Sequence, residues 1–205
     1  MSFLGMMRSS YKLVGIALAL ATLLALSGCW VTSLNGLDEG GSFASDADRV
    51  FEPALLGSWI LSGEDCEGAV QITAKNGVYQ WQMSGEGTGC DDKPGKYDYY
   101  ESRLFKLDNH YFLDQTARDS DVCEMCIAIH WIFLLQLEKD SFTLIPIDDE
   151  WLKAAVEQKS TSLPTMADNT DMITASPKEL KAFCRKYADD REVFKPTPDL
   201  TFRRK

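Results

Sequence analysis

Apolar and polar residues alternate from Val78 to Met83, with Tyr79, Trp81 and Met83 on one face and Gln80 and Gln82 on the other. A period of two is that of a β-strand buried on one side. The same alternation sets Val70 and Ile72 together within Ala69–Ala74, and the Asn76-Gly77 pair between the two runs is a tight-hairpin signal. Further strands are predicted over Trp59–Leu61, Tyr97–Leu107, His110–Thr116, Cys126–Leu137 and Ser141–Ile145. Asp108-Asn109 and Glu138-Lys139-Asp140 read as the turns between consecutive members of this series, and Ser84–Gly95 and Arg118–Asp121 as longer loops.

After Ile145 the period lengthens. Trp151, Leu152, Ala155 and Val156 share a helical face behind a cap at Asp148 or Asp149. Glu157–Asp171 is polar and reads as a connection. Ser176-Pro177-Lys178-Glu179 then combines a capping serine, a proline at the first helical position and a glutamate that completes a capping box. Leu180, Phe183, Cys184 and Tyr187 follow at helical spacing, and Asp199–Arg204 reads as one last strand. The fold class expected is mainly β: about eight antiparallel strands in a barrel-like sheet, with two helices inserted before the last strand. Many short strands hide their edges by closing the sheet. A barrel of eight either fills with side chains or holds one small ligand.

The start of the chain follows a different pattern. Arg8 and Lys12 precede the apolar run Leu13–Leu26, which is too short to span a bilayer and suits the core of an export signal. The run ends in Leu26-Ser27-Gly28-Cys29, which resembles the lipobox of bacterial lipoproteins. The resemblance implies a diacylglycerol on Cys29, cleavage after Gly28 and acylation of the new amine. Two or three acyl chains anchor a protein firmly where one does not. The domain expectation is a signal peptide over 1–28, a lipidated flexible tether over 29–50, rich in Gly, Ser and Asp, and a globular domain over 51–205. Residue 30 is Trp rather than Asp, which by resemblance to the lipoprotein sorting pattern points to the outer membrane, with the domain in the periplasm.

Gly57-Ser58-Trp59 at the start of the first predicted strand resembles the G-x-W signature of lipocalins and the wider calycin barrels. The resemblance implies a tryptophan at the closed end of the barrel covered by an arginine from near the end of the chain. Arg204, in phase with Leu200 and Phe202, is the candidate for that pairing with Trp59, and Arg203 is its competitor. The chain departs from the lipocalin pattern in carrying its helices before the last strand rather than after it.

The remaining chemistry is sparse. Beyond Cys29 there are five cysteines, Cys66, Cys90, Cys123, Cys126 and Cys184, and an oxidising compartment makes disulfides the first reading of them. An odd number leaves a free thiol or an intermolecular bridge. Cys66 and Cys90 flank the hairpin built on Asn76-Gly77. A bridge there is worth roughly 3 kcal/mol in the chain-entropy model, with Cys184 left for Cys123 or Cys126. Cys123-Glu-Met-Cys126 has redox-motif spacing, but a strand rather than a helix follows it, so a thiol redox protein is the minor alternative. As a metal site the pair would need His130 and Cys184 as further ligands. His110 is expected at the surface and His130 as a hydrogen-bonded sheet residue. Asp91-Asp92, Asp148-Asp149-Glu150 and Asp189-Asp190 read as loops and caps, and Asp119, Asp121 and Glu124 lack the calcium-loop glycine. No hydrolase or nucleotide motif is present, and neither a metal nor another cofactor is expected.

The formal charge is −10, and removing residues 1–28 with their two basic residues takes it to −12, a balance that disfavours nucleic acid. Two functions remain. One is a non-enzymatic, lipid-anchored envelope protein in a binding or structural role, partnered by the membrane through its anchor and by another envelope protein. The alternative is a lipocalin-like carrier of a small apolar ligand. Trp59, Tyr79, Trp81, Trp131 and Phe133 either fill the barrel or line its cavity, and core is the expected role.

Overall fold

A computed structural model of the chain describes residues 30–38, 46–62, 67–86, 98–117, 128–196 and 200–205. Cys29, Cys66, Cys90, Cys123, Cys126, Asp91-Asp92 and Asp119–Glu124 lie outside the described residues. The strands are β1 (Thr32–Ser33), β2 (Arg49–Val50), β3 (Gly57–Ser62), β4 (Glu67–Lys75), β5 (Val78–Glu86), β6 (Asp98–Leu107), β7 (His110–Ala117), β8 (His130–Leu137), β9 (Ser141–Pro146), β10 (Thr165–Met166), β11 (Asn169–Ile173) and β12 (Thr201–Arg204). Helix α1 spans Asp149–Glu157 and helix α2 spans Pro177–Tyr187.

Strands β3 to β9 follow one another as antiparallel neighbours, and β12 pairs with both β9 and β3, so eight antiparallel strands close into a barrel. The registers Phe202↔Leu61, Arg204↔Trp59 and Phe202↔Phe142 fix that closure. Architecture of this kind is compatible with a calycin-like fold. Asn76 and Gly77 both have positive φ, 54° and 74°, as the two-residue turn between β4 and β5 requires.

The inward faces carry Trp59, Val70, Ile72, Tyr79, Trp81, Leu104, Leu113, Phe133, Leu135, Phe142, Leu144 and Phe202, which form one apolar cluster. A second cluster lies outside the barrel wall, where Phe105, Phe112, Ile132, Leu134 and Ile145 meet Leu152 of α1 and Leu180, Phe183 and Cys184 of α2. This two-sided burial explains why Cys126–Leu137 reads as a continuous apolar run while β5 alternates. Helices cover the outside of β8, whereas the outer face of β4 carries the exposed Gln71 and Thr73. Asp148 caps α1 by accepting the Trp151 N–H at 2.8 Å, and Ser176 and Glu179 form the capping box of α2.

At the closed end a single 3₁₀ turn, Pro53–Leu55, plugs the barrel with the fully buried Leu55. The Trp59 indole donates to the Leu55 carbonyl at 2.9 Å. The Arg204 guanidinium sits 4.2 Å above the Trp59 ring and donates to the carbonyls of Ala54 (2.8 Å) and Leu56 (3.3 Å). Such a stacked cation contributes about 0.5–2 kcal/mol. Gly57 has φ 129°, and a Cβ there would stand 3.0 Å from Arg204 Nη1. Gly57→Ala is therefore expected to destabilise the domain by about 1–3 kcal/mol, read as a lowered urea midpoint, because strain and crowding act together.

Two expectations need correction. Residues 29–50 do not act as a tether throughout, nor does the folded domain begin at residue 51. Val31 and Leu37 are buried, β1 pairs with β8 and β11, and β2 pairs with β6. Few apolar residues suffice here because backbone hydrogen bonding attaches the segment. The second correction concerns Cys184, which is a free thiol rather than half of a disulfide. It is sealed between α2 and the barrel wall, and burial pushes its pKa well above the ordinary thiol range.

Candidate functional site

Among the described residues, the barrel is packed at the end nearest Trp59 and leaves space towards the other. Phe142 stacks on Phe202 at 4.5 Å, and Trp59 and Trp81 meet Phe142 edge-on at 4.7 and 5.9 Å. Above these rings the side chains cease to fill the interior, leaving a cavity of about 540 Å³. Trp81, Phe133, Leu144 and Phe202 form its lower wall. Met83, Tyr100, Gln115, Trp131 and Leu200 complete the upper wall. Trp30, Thr32, Asn169 and Asp171 stand at the mouth. A volume of 300–1,000 Å³, mostly apolar lining and a few polar groups are the usual attributes of a small-molecule site.

The expected division between core and cavity aromatics falls within the set. Trp59 and Tyr79 pack the closed end, and Trp81 and Phe133 are buried core residues, as expected, that also border the cavity; only Trp131 is partly buried and lines the cavity wall. Gln115 joins these residues without any motif in the sequence to mark it. It lies on the inward face of β7, is 8% exposed and lines the cavity. Gln115 brings an amide to a mostly apolar lining, so it is the polar handle of the site. At the mouth, Asp171 pairs with Lys153 of α1 at 3.4 Å and leaves its Oδ1 unsatisfied.

The mouth is assembled by the N-terminal segment and the β10–β11 hairpin, both docked where β8 runs on past β9. Ser33 faces His130 across β8, and the Leu34 N–H donates to the Ile173 carbonyl at 2.9 Å. On the outer face of the barrel, His130 Nδ1 lies 2.6 Å from Asp114 Oδ1, and Asp114 Oδ2 accepts the Leu37 N–H at 2.9 Å. His130 is thus the hydrogen-bonded sheet residue expected of it. A Cβ at Gly36 would collide with both Asp114 and His130, so glycine is what lets the segment approach.

His110 forms a surface pair with Asp189 at 3.0 Å, and Asp190 closes a turn by accepting the Glu192 N–H. Among the described residues no group of His, Cys, Asp and Glu is placed to hold a metal, and no helix is long and apolar enough to cross a membrane. The Cys123/Cys126 pair lies outside the described residues. No protein-family model matches the chain, and neither a curated protein nor a solved structure matches it.

Proposed function

We propose that this chain is a lipid-anchored protein of the bacterial cell envelope whose barrel binds one small, largely apolar molecule without acting on it chemically. The observation that carries the binding reading is the half-empty barrel: a packed interior would suit a structural part, and a cavity of about 540 Å³ suits a guest. Gln115 adds that the guest carries a group able to exchange a hydrogen bond with an amide, placed above an apolar body that contacts Trp81, Phe133 and Leu144. The anchor rests on Leu26-Ser27-Gly28-Cys29, and Trp30 in the next position favours the outer membrane, with the barrel on the periplasmic side. Cys29→Ser is expected to abolish processing and incorporation of labelled fatty acid, since the sulfur is the acceptor. Labelled lipid in that variant would refute the anchor.

The cavity is tested by titrating a naphthylamine fluorophore, an apolar ring system with one N–H, into the protein. Saturable binding at one site is expected. Leu200→Trp, which fills the cavity from its upper wall, is expected to lower affinity at least tenfold with the thermal midpoint nearly unchanged. Gln115→Leu, which removes one hydrogen bond, is expected to lower it about three- to tenfold. Equal binding by wild type and Leu200→Trp would show that the fluorophore sits elsewhere and would leave the binding reading without its site.

A further inference from the structure

We infer that the molecule bound in the barrel is a small organic amine, its ammonium group held by the Asp171 carboxylate and by the aromatic rings that line the same cavity. This rests on the binding reading above and names the chemical class of the guest.

The first support is a carboxylate oxygen without a donor. Asp171 lies on β11 and lines the cavity, with its side chain 16% exposed. Its Oδ2 meets Lys153 of α1 at 3.4 Å, whereas its Oδ1 is buried and accepts no hydrogen bond. Lys153 is itself shared, because the same Nζ stands 3.3 Å from Asp149 Oδ2. One ammonium between two carboxylates leaves negative charge in excess. The described residues that line the cavity include no Lys, Arg or His. A buried acceptor of this kind is satisfied by an N–H, and most strongly by a charged one. Gln115 adds an amide, whose oxygen accepts from the same class of donor.

The second support is the rings. Tyr100 and Trp131 meet edge-on at 6.2 Å, as do Trp30 and Phe133 at 5.8 Å, and all four line the cavity with Asp171. The face of an aromatic ring carries partial negative charge and attracts cations, indole most of all. A neutral guest uses such walls only as apolar surface, whereas an ammonium gains from the rings and the carboxylate together. The charge around the cavity has the matching sign. Asp168 lies in the turn between β10 and β11, and Glu67, Glu86 and Asp98 stand at the ends of β4, β5 and β6 on this side of the barrel. The connections 63–66, 87–97 and 118–127 between these strands carry seven acidic residues against three basic ones in sequence. Acidic surroundings raise the local concentration of a cation and repel a carboxylate.

The test displaces the naphthylamine fluorophore with three ligands that share a ring system and differ in head group: naphthylmethylammonium, naphthylmethanol and naphthylacetate. The ammonium is expected to bind about tenfold more tightly than the alcohol, and the carboxylate most weakly of the three. Added salt is expected to narrow the spread. Asp171→Asn is expected to bring the ammonium within about threefold of the alcohol, the preference that the rings alone supply, with alcohol affinity unchanged. Lys153→Met, which frees Asp171 Oδ2 from a half-exposed position, is expected to strengthen the ammonium preference about threefold. Equal binding of ammonium and alcohol by wild type, or an ammonium preference undiminished in Asp171→Asn, overturns the amine while the cavity stands. Should Asp171→Asn fail to fold, an ammonium preference unchanged in Lys153→Met overturns it instead. If none of the three ligands displaces the fluorophore, the binding reading itself falls, and the amine with it.

Discussion

Truncation after Pro198 is expected to unfold the barrel as a whole rather than fray its end. The seven residues removed include β12, which alone joins β9 to β3. Phe202 is 1% exposed and stacks on Phe142, and removing such a ring alone costs about 3–5 kcal/mol. Leu200 and the Arg204 cover over Trp59 go with it, and β3 and β9 become open edges. Domains of this size have about 5–15 kcal/mol of stability in total, so the truncated chain is expected to show no cooperative thermal transition and a red-shifted tryptophan emission. An unchanged midpoint with unchanged emission would mean that the sheet does not close through β12.

Lys181→Met is expected to cost about 3–5 kcal/mol, the price of leaving the buried Asp46 carboxylate without its cation. Lys181 is 3% exposed and projects from α2, with its ammonium 2.9 Å from both oxygens of Asp46 and 3.1 Å from Asp48. Arg185, one turn on, contacts both oxygens of Asp48 at 3.0 Å. This network fastens residues 46–50 to the helical layer. Burial opposes the charge on Asp48, but the hydrogen bonds from Lys181 and Arg185 outweigh it and hold the carboxyl below its ordinary pKa. A carboxyl depressed in the folded state contributes stability above its unfolded pKa, near 4, and loses it as pH falls through the folded value. Urea midpoints across the acid range are expected to fall below about pH 4 in wild type and to fall less steeply in Lys181→Met. Parallel profiles would show that the network does not govern acid stability.

The eight barrel strands and both helices are legible because each shows a simple period, a bounded apolar run or a clear cap or turn. The inward set of β5 is written in Tyr79, Trp81 and Met83, and the start of α2 in Ser176, Pro177 and Glu179. What escaped is held by contacts distant in sequence. The segment around Ser33 and Gly36 has the composition of a linker, yet it docks because Gly36 fits against Asp114 and His130, residues more than seventy positions away. The two-residue strands β1 and β10 are too short to show a period. Glu157–Asp171 looked like a polar connection because the β10–β11 hairpin contributes its rim by backbone pairing rather than by an apolar face.

The cavity was legible only as a choice between filled and hollow. Periodicity says that Gln115, Trp131 and Leu144 point inward, but not how far opposing side chains reach across the barrel. Trp81 and Phe142 meet at the floor, whereas Trp131 and Leu200 at the upper level leave space between them. Cys184 shows the same limit. A cysteine count offers partners, and only the packing of α2 against the wall shows this thiol free and buried.

The most direct test of the proposed function is native mass spectrometry of the protein purified from its own envelope, wild type beside Leu200→Trp. Wild type is expected to carry one small molecule in addition to the Cys29 lipid, and Leu200→Trp to carry the lipid alone. Identical masses for the two proteins beyond the substitution itself, with nothing bound to wild type, would contradict a guest in the barrel.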